Sequence, residues 1–245
     1  AVPLVAGSRV RTRPVPFLTD DCNGVAWRTV EAFNEEPGRF AVPMVLYGPA
    51  GTGKSLLLDW IEFRAKQQDR HPLRMSGKGL SIGFGKETRN RGGVDALARM
   101  VGRAPLWILD AAEPLDADRG AVRFAATLLR RRIEAGLSTV VATQRPPGEV
   151  ASSRLRSLLS CGFAVQVEPG GPRVRAGILK RWSRRDGRQL GSAILASLAA
   201  SREPLTSAYR RARDGRGGPV DAGGFLDHAG EVLAVGVAEL AGTGR

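Results

Sequence analysis

Residues 48–55 read G-P-A-G-T-G-K-S, which is a complete G-x-x-x-x-G-K-[ST] phosphate-binding loop. The apolar run Met44–Tyr47 before the loop predicts a buried strand, and apolar residues at helical spacing over 57–65 predict a helix after it. In that context the motif binds phosphate, because glycines let backbone amides approach the anion and the helix N-terminus favours negative charge. The sequence therefore predicts a protein that binds a nucleoside triphosphate.

The loop also predicts which residues contact the nucleotide. Lys54 is expected to reach the β- and γ-phosphates, and the Ser55 hydroxyl is expected to bind Mg²⁺. The neighbouring residues are also predicted to contact the nucleotide. They are Gly48, Pro49, Ala50, Gly51, Thr52, Gly53 and Leu56. ATP and Mg²⁺ are therefore the expected cofactors.

Composition limits the class of protein. Of the 245 residues 42% are hydrophobic, which is ample for a packed core, yet no stretch has the length of a membrane span. Residues 1–16 lack the apolar block of a signal peptide. Cys22 and Cys161 lie far apart and fall in no metal-ligand spacing, so we expect reduced thiols. Together these features predict a cytoplasmic protein that does not contact membranes.

The net charge of +13 favours a polyanionic partner, because Lys and Arg contacts to phosphates release counterions. Basic residues concentrate in the segment 74–91 and at arginines 130–132, which predicts a surface for non-specific DNA contact. Two alternatives to DNA contact stay open. Only five of the 37 basic residues are Lys, which is typical of a genome that favours Arg codons, and the arginines also fit a solvated helix face.

Apolar runs at 106–110, 138–142 and 163–167 predict further strands, with helical patterns between them. This alternation indicates an α/β fold with a mainly parallel, five-stranded sheet covered by helices. After residue 185 the pattern changes to three helices, which we interpret as a small lid. The predicted organisation is a basic arm at 1–16, a nucleotide-binding core at 17–185 and a helical lid at 186–245.

Asp110 ends the apolar run at 106–110 and fits a Walker B acid, which holds Mg²⁺ through water. Hydrolysis also needs a group that orients the attacking water, usually the next residue, and that residue is Ala111. Glu113 is the next acid and reaches the water only if the strand ends irregularly. The sequence therefore predicts tight nucleotide binding with slow or absent hydrolysis, so activity as an enzyme stays open.

Several segments, taken in order, resemble the AAA+ domain of the bacterial replication initiator DnaA and its short relatives such as Hda. They are the loop region 43–55, V-V-A-T-Q-R-P-P at 140–147 and R-L-R-S at 154–157. The likeness spans roughly residues 17–210. It implies a P-loop NTPase of the AAA+ type with a C-terminal helical lid.

The resemblance also implies roles for single residues. Thr143 and Gln144 fall at sensor 1, near the γ-phosphate, and Asn23 falls beside the adenine. Arg202 falls near sensor 2 as a γ-phosphate contact, although an ordinary arginine at a helix start explains it equally well. The arginine-finger position holds Leu158, which leaves oligomerisation open.

The function implied by the resemblance is an ATP-binding AAA+ protein that acts in or regulates replication initiation through ATP-dependent conformation and assembly. Its partners would be DnaA or another AAA+ protein. An alternative is a DNA-binding ATPase of the helicase-loader or transposition-helper type, which would use the basic surface. A small-molecule kinase is disfavoured, because neither an acceptor pocket nor a catalytic base can be recognised near the loop.

Overall fold

The computed structural model describes residues 14–36, 42–90, 92–187, 190–201 and 203–213. They divide into two compact units with the boundary between Gly170 and Gly171, and each unit is described by itself. The first unit contains strands β1–β5, which are Met44–Tyr47, Leu73–Ser76, Leu106–Asp110, Ser138–Thr143 and Phe163–Gln166. Its helices α1–α6 are Gly24–Glu35, Lys54–Gln67, Gly77–Glu87, Gly93–Arg103, Arg119–Glu134 and Ser153–Ser160.

The five strands form one parallel sheet in the order β2-β3-β4-β1-β5. This confirms the predicted α/β fold. Tyr47 at the end of β1 pairs with Thr143 at the end of β4, and Ser76 at the end of β2 pairs with Asp110 at the end of β3. The carboxyl ends of neighbouring strands therefore meet at one edge of the sheet.

The core of this unit lies on both faces of the sheet. Successive side chains of a strand point to opposite faces, so Trp107 and Leu109 pack in one cluster while Leu106 and Ile108 pack in another. The first cluster continues into residues of α3 to α6, and the second into residues of α1 and α2. A sheet covered on both faces is the arrangement expected for parallel strands.

Strand β2 is the element whose position the sequence did not indicate. It lies in the Gly-rich, basic segment 71–93, and the apolar residues Leu80 and Ile82 of that segment belong to α3. The turn between β2 and α3 needs Gly77, because a Cβ at this position would lie 2.3 Å from the carbonyl oxygen of Ala111. The Gly77 N–H donates to that oxygen at 3.2 Å and so joins β2 to the end of β3.

The second unit contains α7 (Pro172–Arg185), α8 (Ser192–Ala200) and α9 (Leu205–Arg213) among its described residues. Its core includes Leu179, Leu198 and Tyr209. The division into compact units groups α7 with the helices that follow it, whereas the predicted lid begins after α7. The last predicted lid helix and most of the basic arm lie outside the described residues.

Arg132 on α5 corrects one prediction about the basic surface. Its side chain is 1% exposed and donates to the carbonyl oxygens of Val101, Ala104 and Ser138 at 2.6–2.8 Å and to the Thr139 hydroxyl at 2.9 Å. Burial lowers the pKa of Arg132 to about 10, which still leaves the guanidinium charged at neutral pH. Arg132 therefore joins the end of α4 to the start of β4, and its assignment to a DNA-facing surface was wrong.

We predict that Arg132→Leu lowers the free energy of unfolding by at least about 3 kcal/mol, because each buried acceptor left without a donor costs roughly 1–3 kcal/mol. The exposed neighbour Arg131 gives a matched control, and Arg131→Leu should stay within about 0.5 kcal/mol of the wild type. Urea denaturation followed by circular dichroism measures both. Equal losses in the two variants would contradict a structural role for Arg132.

Candidate nucleotide-binding site

The phosphate-binding loop lies between β1 and α2, as the sequence predicted. Gly53 caps α2 with φ of 99°, a left-handed conformation that favours glycine, and a Cβ there would lie 2.9 Å from the Phe17 ring. The first N–H groups of α2 have no partner within the helix, so they are available to an anion at this end. The start of the loop is also bonded to β4, because the Gly48 N–H donates to the Thr143 carbonyl at 3.2 Å.

The Lys54 side chain is held against the backbone of this loop. Its ammonium donates to the carbonyl oxygens of Gly48 at 2.6 Å and Pro49 at 2.7 Å. Burial lowers the pKa of Lys54 from its ordinary value, while the carboxylates of Glu113 and Asp110 oppose that shift. The ammonium is therefore a positioned cation that shares its surroundings with two acids.

Ser55 and Asp110, the two residues predicted to hold Mg²⁺, lie together. The Ser55 hydroxyl donates to Asp110 Oδ1 at 3.2 Å. Hydroxyl and carboxylate oxygens are hard donors of the kind that Mg²⁺ takes, and this ion usually keeps several waters and binds substrate phosphates as well. The donor set therefore fits a magnesium ion that completes its shell with nucleotide and water.

The chain leaves β3 irregularly, which is the condition under which Glu113 reaches the site. Ala111 has φ of +50°, and the Ala112 N–H then donates to the Ala142 carbonyl of β4 at 3.1 Å. A 3₁₀ turn begins at Glu113, whose Oε1 accepts a hydrogen bond from the backbone N–H of Gln144. Glu113 Oε2 is buried and has no hydrogen-bond partner among the described residues. One oxygen of this carboxylate is thus anchored and the other is free.

Thr143 and Gln144, which the resemblance places at sensor 1, lie at the end of β4. The Thr143 side chain is buried and donates to the Arg145 carbonyl at 2.7 Å, so this hydroxyl stabilises the turn that follows the strand. Gln144 is exposed, and its backbone N–H holds Glu113. The structure therefore brings Lys54, Asp110, Glu113 and Gln144 together.

Two residues implied by the resemblance are not joined to this group by any described contact. The Asn23 side chain is buried, accepts from the Asp20 N–H at 2.9 Å and donates to the Leu18 carbonyl at 3.0 Å, which shapes the turn before α1. Its contact with adenine stays a prediction. Arg202 lies outside the described residues.

Leu158, which the resemblance places at the arginine-finger position, lies on α6 and packs against the hydrophobic core. Its neighbour Arg156 donates to the carbonyls of Val150 and Ala151 at 2.9 Å and 3.3 Å. The end of α6 therefore presents an inward-packed apolar side chain where an arginine finger is expected.

Sequence reasoning missed Arg74 as a residue of this site. It lies on β2, its side chain is 16% exposed, and its Nη2 donates to Asp110 Oδ2 at 2.7 Å. Burial opposes its charge, but hydrogen bonds to Asp110 and Asp59 outweigh burial and raise the pKa of Arg74 above its ordinary value. Placing Arg74 on a DNA-facing surface was therefore wrong. A strand of only four residues leaves too short an alternation to reveal which side chains point inward.

A phosphate-binding loop after β1, an acid at the end of β3 and a five-stranded parallel sheet are the arrangement of the AAA+ P-loop fold. Comparison with known proteins identifies similar sequences. The chromosomal replication initiator protein DnaA of Rhodopseudomonas palustris (strain BisB5) is 28% identical over 141 residues, which are 56% of this chain and 29% of that protein. The chain thus spans less than a third of the length of this relative. No protein-family model matches this chain.

Solved structures agree on the fold. The crystal structure of a DNA replication initiation factor superposes with a TM-score of 0.73 at 19% identity, covering 82% of this chain and 62% of that one. A replication initiator DnaA bound to AMPPCP and single-stranded DNA superposes with a TM-score of 0.69 at 19% identity, covering 82% and 66%. The described part of the chain therefore has the AAA+ P-loop fold that is seen in these DnaA structures. None of the helices in the described ranges has the length and apolarity needed to cross a bilayer.

Proposed function

We propose that this protein binds ATP and acts in or regulates DNA replication initiation through ATP-dependent conformation and assembly. The observation that carries this proposal is the contact between Ser55 of the phosphate-binding loop and Asp110 of β3, with Lys54 beside them in a DnaA-like domain. An AMPPCP-bound DnaA among the similar structures supports the choice of nucleotide. DnaA or another AAA+ protein is the proposed partner, and the cytoplasm is the proposed setting.

Within this proposal each group has a task. Lys54 exchanges its two carbonyl acceptors for phosphate oxygens, because a charge-assisted hydrogen bond to phosphate is stronger than one to a neutral carbonyl. Ser55 and Asp110 would hold Mg²⁺, which supplies charge neutralisation at the phosphates when bound. ATP then shifts the protein between conformations only to the extent that it binds them differently.

We predict that Lys54→Ala weakens ATP binding at least about tenfold, because hydrogen bonds to charged groups contribute roughly 1.5–3 kcal/mol each. Isothermal titration calorimetry with a non-hydrolysable ATP analogue measures the affinity. Lys86→Ala is the control, since Lys86 is exposed on α3 and should leave the affinity unchanged. Unchanged affinity in Lys54→Ala would refute the assignment of this loop as the nucleotide site.

We also propose that hydrolysis is slow. Ala111 offers no acid directly after Asp110, and Leu158 offers no guanidinium for the phosphates of a neighbouring subunit. Glu113 is the remaining group for orienting water, because its Oε1 is anchored by Gln144 and its Oε2 is free to accept a hydrogen bond. Turnover that does occur is assigned to this carboxylate.

We predict steady-state ATP turnover below about 1 s⁻¹, the low end of ordinary enzyme rates. Glu113→Gln should lower it at least about a hundredfold further, because positioned acid–base groups contribute roughly 10²–10⁴. Glu149→Gln is the control, since this glutamate is exposed in a separate turn. A phosphate-release assay measures all three proteins. Turnover that Glu113→Gln leaves intact would show that another group orients the water.

We propose that DNA contacts a groove of about 600 Å³ rather than the surface expected from the sequence. It is lined by Arg119 and Arg123 of α5 and Arg154 near the start of α6, with Asp116 the only acid among its described lining residues. No described residue forms an ion pair or a hydrogen bond with these three guanidinium groups. A groove of this charge suits phosphates, and it also favours the alternative of a helicase-loader or transposition-helper type ATPase.

We predict that Arg119→Ser with Arg123→Ser weakens single-stranded DNA binding and makes the salt dependence shallower by about 1.4 in log K against log salt, since each lost contact to a single strand removes about 0.7. Fluorescence anisotropy at several salt concentrations, with and without ATP, gives the slope. Arg130→Ser with Arg131→Ser removes the same charge from the surface that the sequence had indicated. A larger effect of this second pair would assign DNA contact to that surface, and salt-independent binding of another AAA+ protein without DNA would favour an adaptor.

A further inference from the structure

Arg74 brings a permanent positive charge to the acid that is proposed to face magnesium. Its Nη2 donates to Asp110 Oδ2 at 2.7 Å and lies 3.5 Å from the Ser55 carbonyl oxygen. Its Nη1 donates to Asp59 and, at 3.3 Å, to Glu62 Oε2, both on α2. A guanidinium held by three carboxylates has little freedom to leave, so the contact with Asp110 is a fixed part of the site.

This contact leaves Asp110 without an oxygen that is free of hydrogen bonds. Ser55 occupies Oδ1 and Arg74 occupies Oδ2. A Walker B acid helps to hold magnesium by presenting negative charge to the ion and its waters. Here the magnesium ion would approach a carboxylate whose charge is already offset in part by a guanidinium at hydrogen-bond distance.

The other acids around Arg74 do not restore that charge to Asp110. Asp59 and Glu62 bond to Nη1, whereas Asp110 bonds to Nη2. Glu62 is also neutralised from its other side, because Lys66 bonds to its Oε1 at 2.6 Å. Three carboxylates therefore share two cations, and Asp110 faces one of those cations directly.

We infer that Arg74 provides at Asp110 part of the positive charge that magnesium would otherwise supply, so that nucleotide binding by this protein depends only weakly on Mg²⁺. Arg74 acts here as a positioning residue, since its described hydrogen bonds go to protein groups. The inference rests on the proposed ATP binding at residues 48–55.

The test measures the affinity of a fluorescent, non-hydrolysable ATP analogue in excess magnesium chloride and in excess EDTA. For the wild type the dissociation constant should rise less than about threefold on chelation, and for Arg74→Met it should rise more than about tenfold. Arg74→Lys keeps the charge but loses the planar fork, so its ratio should lie between these two. Circular dichroism checks that each variant is folded.

Each outcome of this test either supports or overturns the inference. A wild-type affinity that falls about threefold or more without magnesium overturns the inference, even if Arg74→Met does not fold. An equally small ratio in folded Arg74→Met overturns it too, because magnesium independence would then not come from Arg74. Absence of binding in both buffers refutes nucleotide binding itself, whereas tight binding that needs magnesium refutes only the role of Arg74.

Discussion

The parallel register of the sheet is the constraint on which the site depends. Because β1, β3 and β4 run in the same direction and lie side by side, their carboxyl ends open at one edge, which is where parallel sheets of this type bind ligands. Gly48, Asp110 and Thr143 all lie at or directly after a strand end. Residues far apart in sequence thereby share one small region, and hydrogen bonds between the loops that follow these strands keep it together.

Electrostatics then determine how this edge is used. Lys54 is surrounded by acceptors that are weaker partners than phosphate, so the loop keeps its cation oriented without binding it too tightly to release. Asp110 is instead paired to a guanidinium, and the free oxygen of Glu113 has no described partner. The cation of the loop is thus ready for a ligand, while the acid expected to face the metal is already engaged.

Local patterns in the sequence were sufficient for the fold and for part of the site. The loop motif and the apolar runs that end at Asp110 and Thr143 depend on neighbours within a few residues, so they can be recognised without the structure. Glu113 required the left-handed backbone of Ala111, which nothing in its residue type indicates. Arg74 and Arg132 have the same side chain as exposed arginines nearby, and only strand pairing and helix packing decide that they turn inward.

Under the proposed function, the groups that are present and those that are absent both favour ATP as a ligand that shifts conformation rather than as a substrate that is cleaved quickly. Groups that bind the nucleotide ground state, such as Lys54 and the loop amides, are in place. Groups that contribute mainly in the transition state are replaced at Ala111 and Leu158. We propose that a protein built in this way would retain the differential binding that shifts a conformational equilibrium, while it would cleave the nucleotide slowly. Release of the nucleotide, rather than its hydrolysis, would then set how long the ATP-bound conformation lasts.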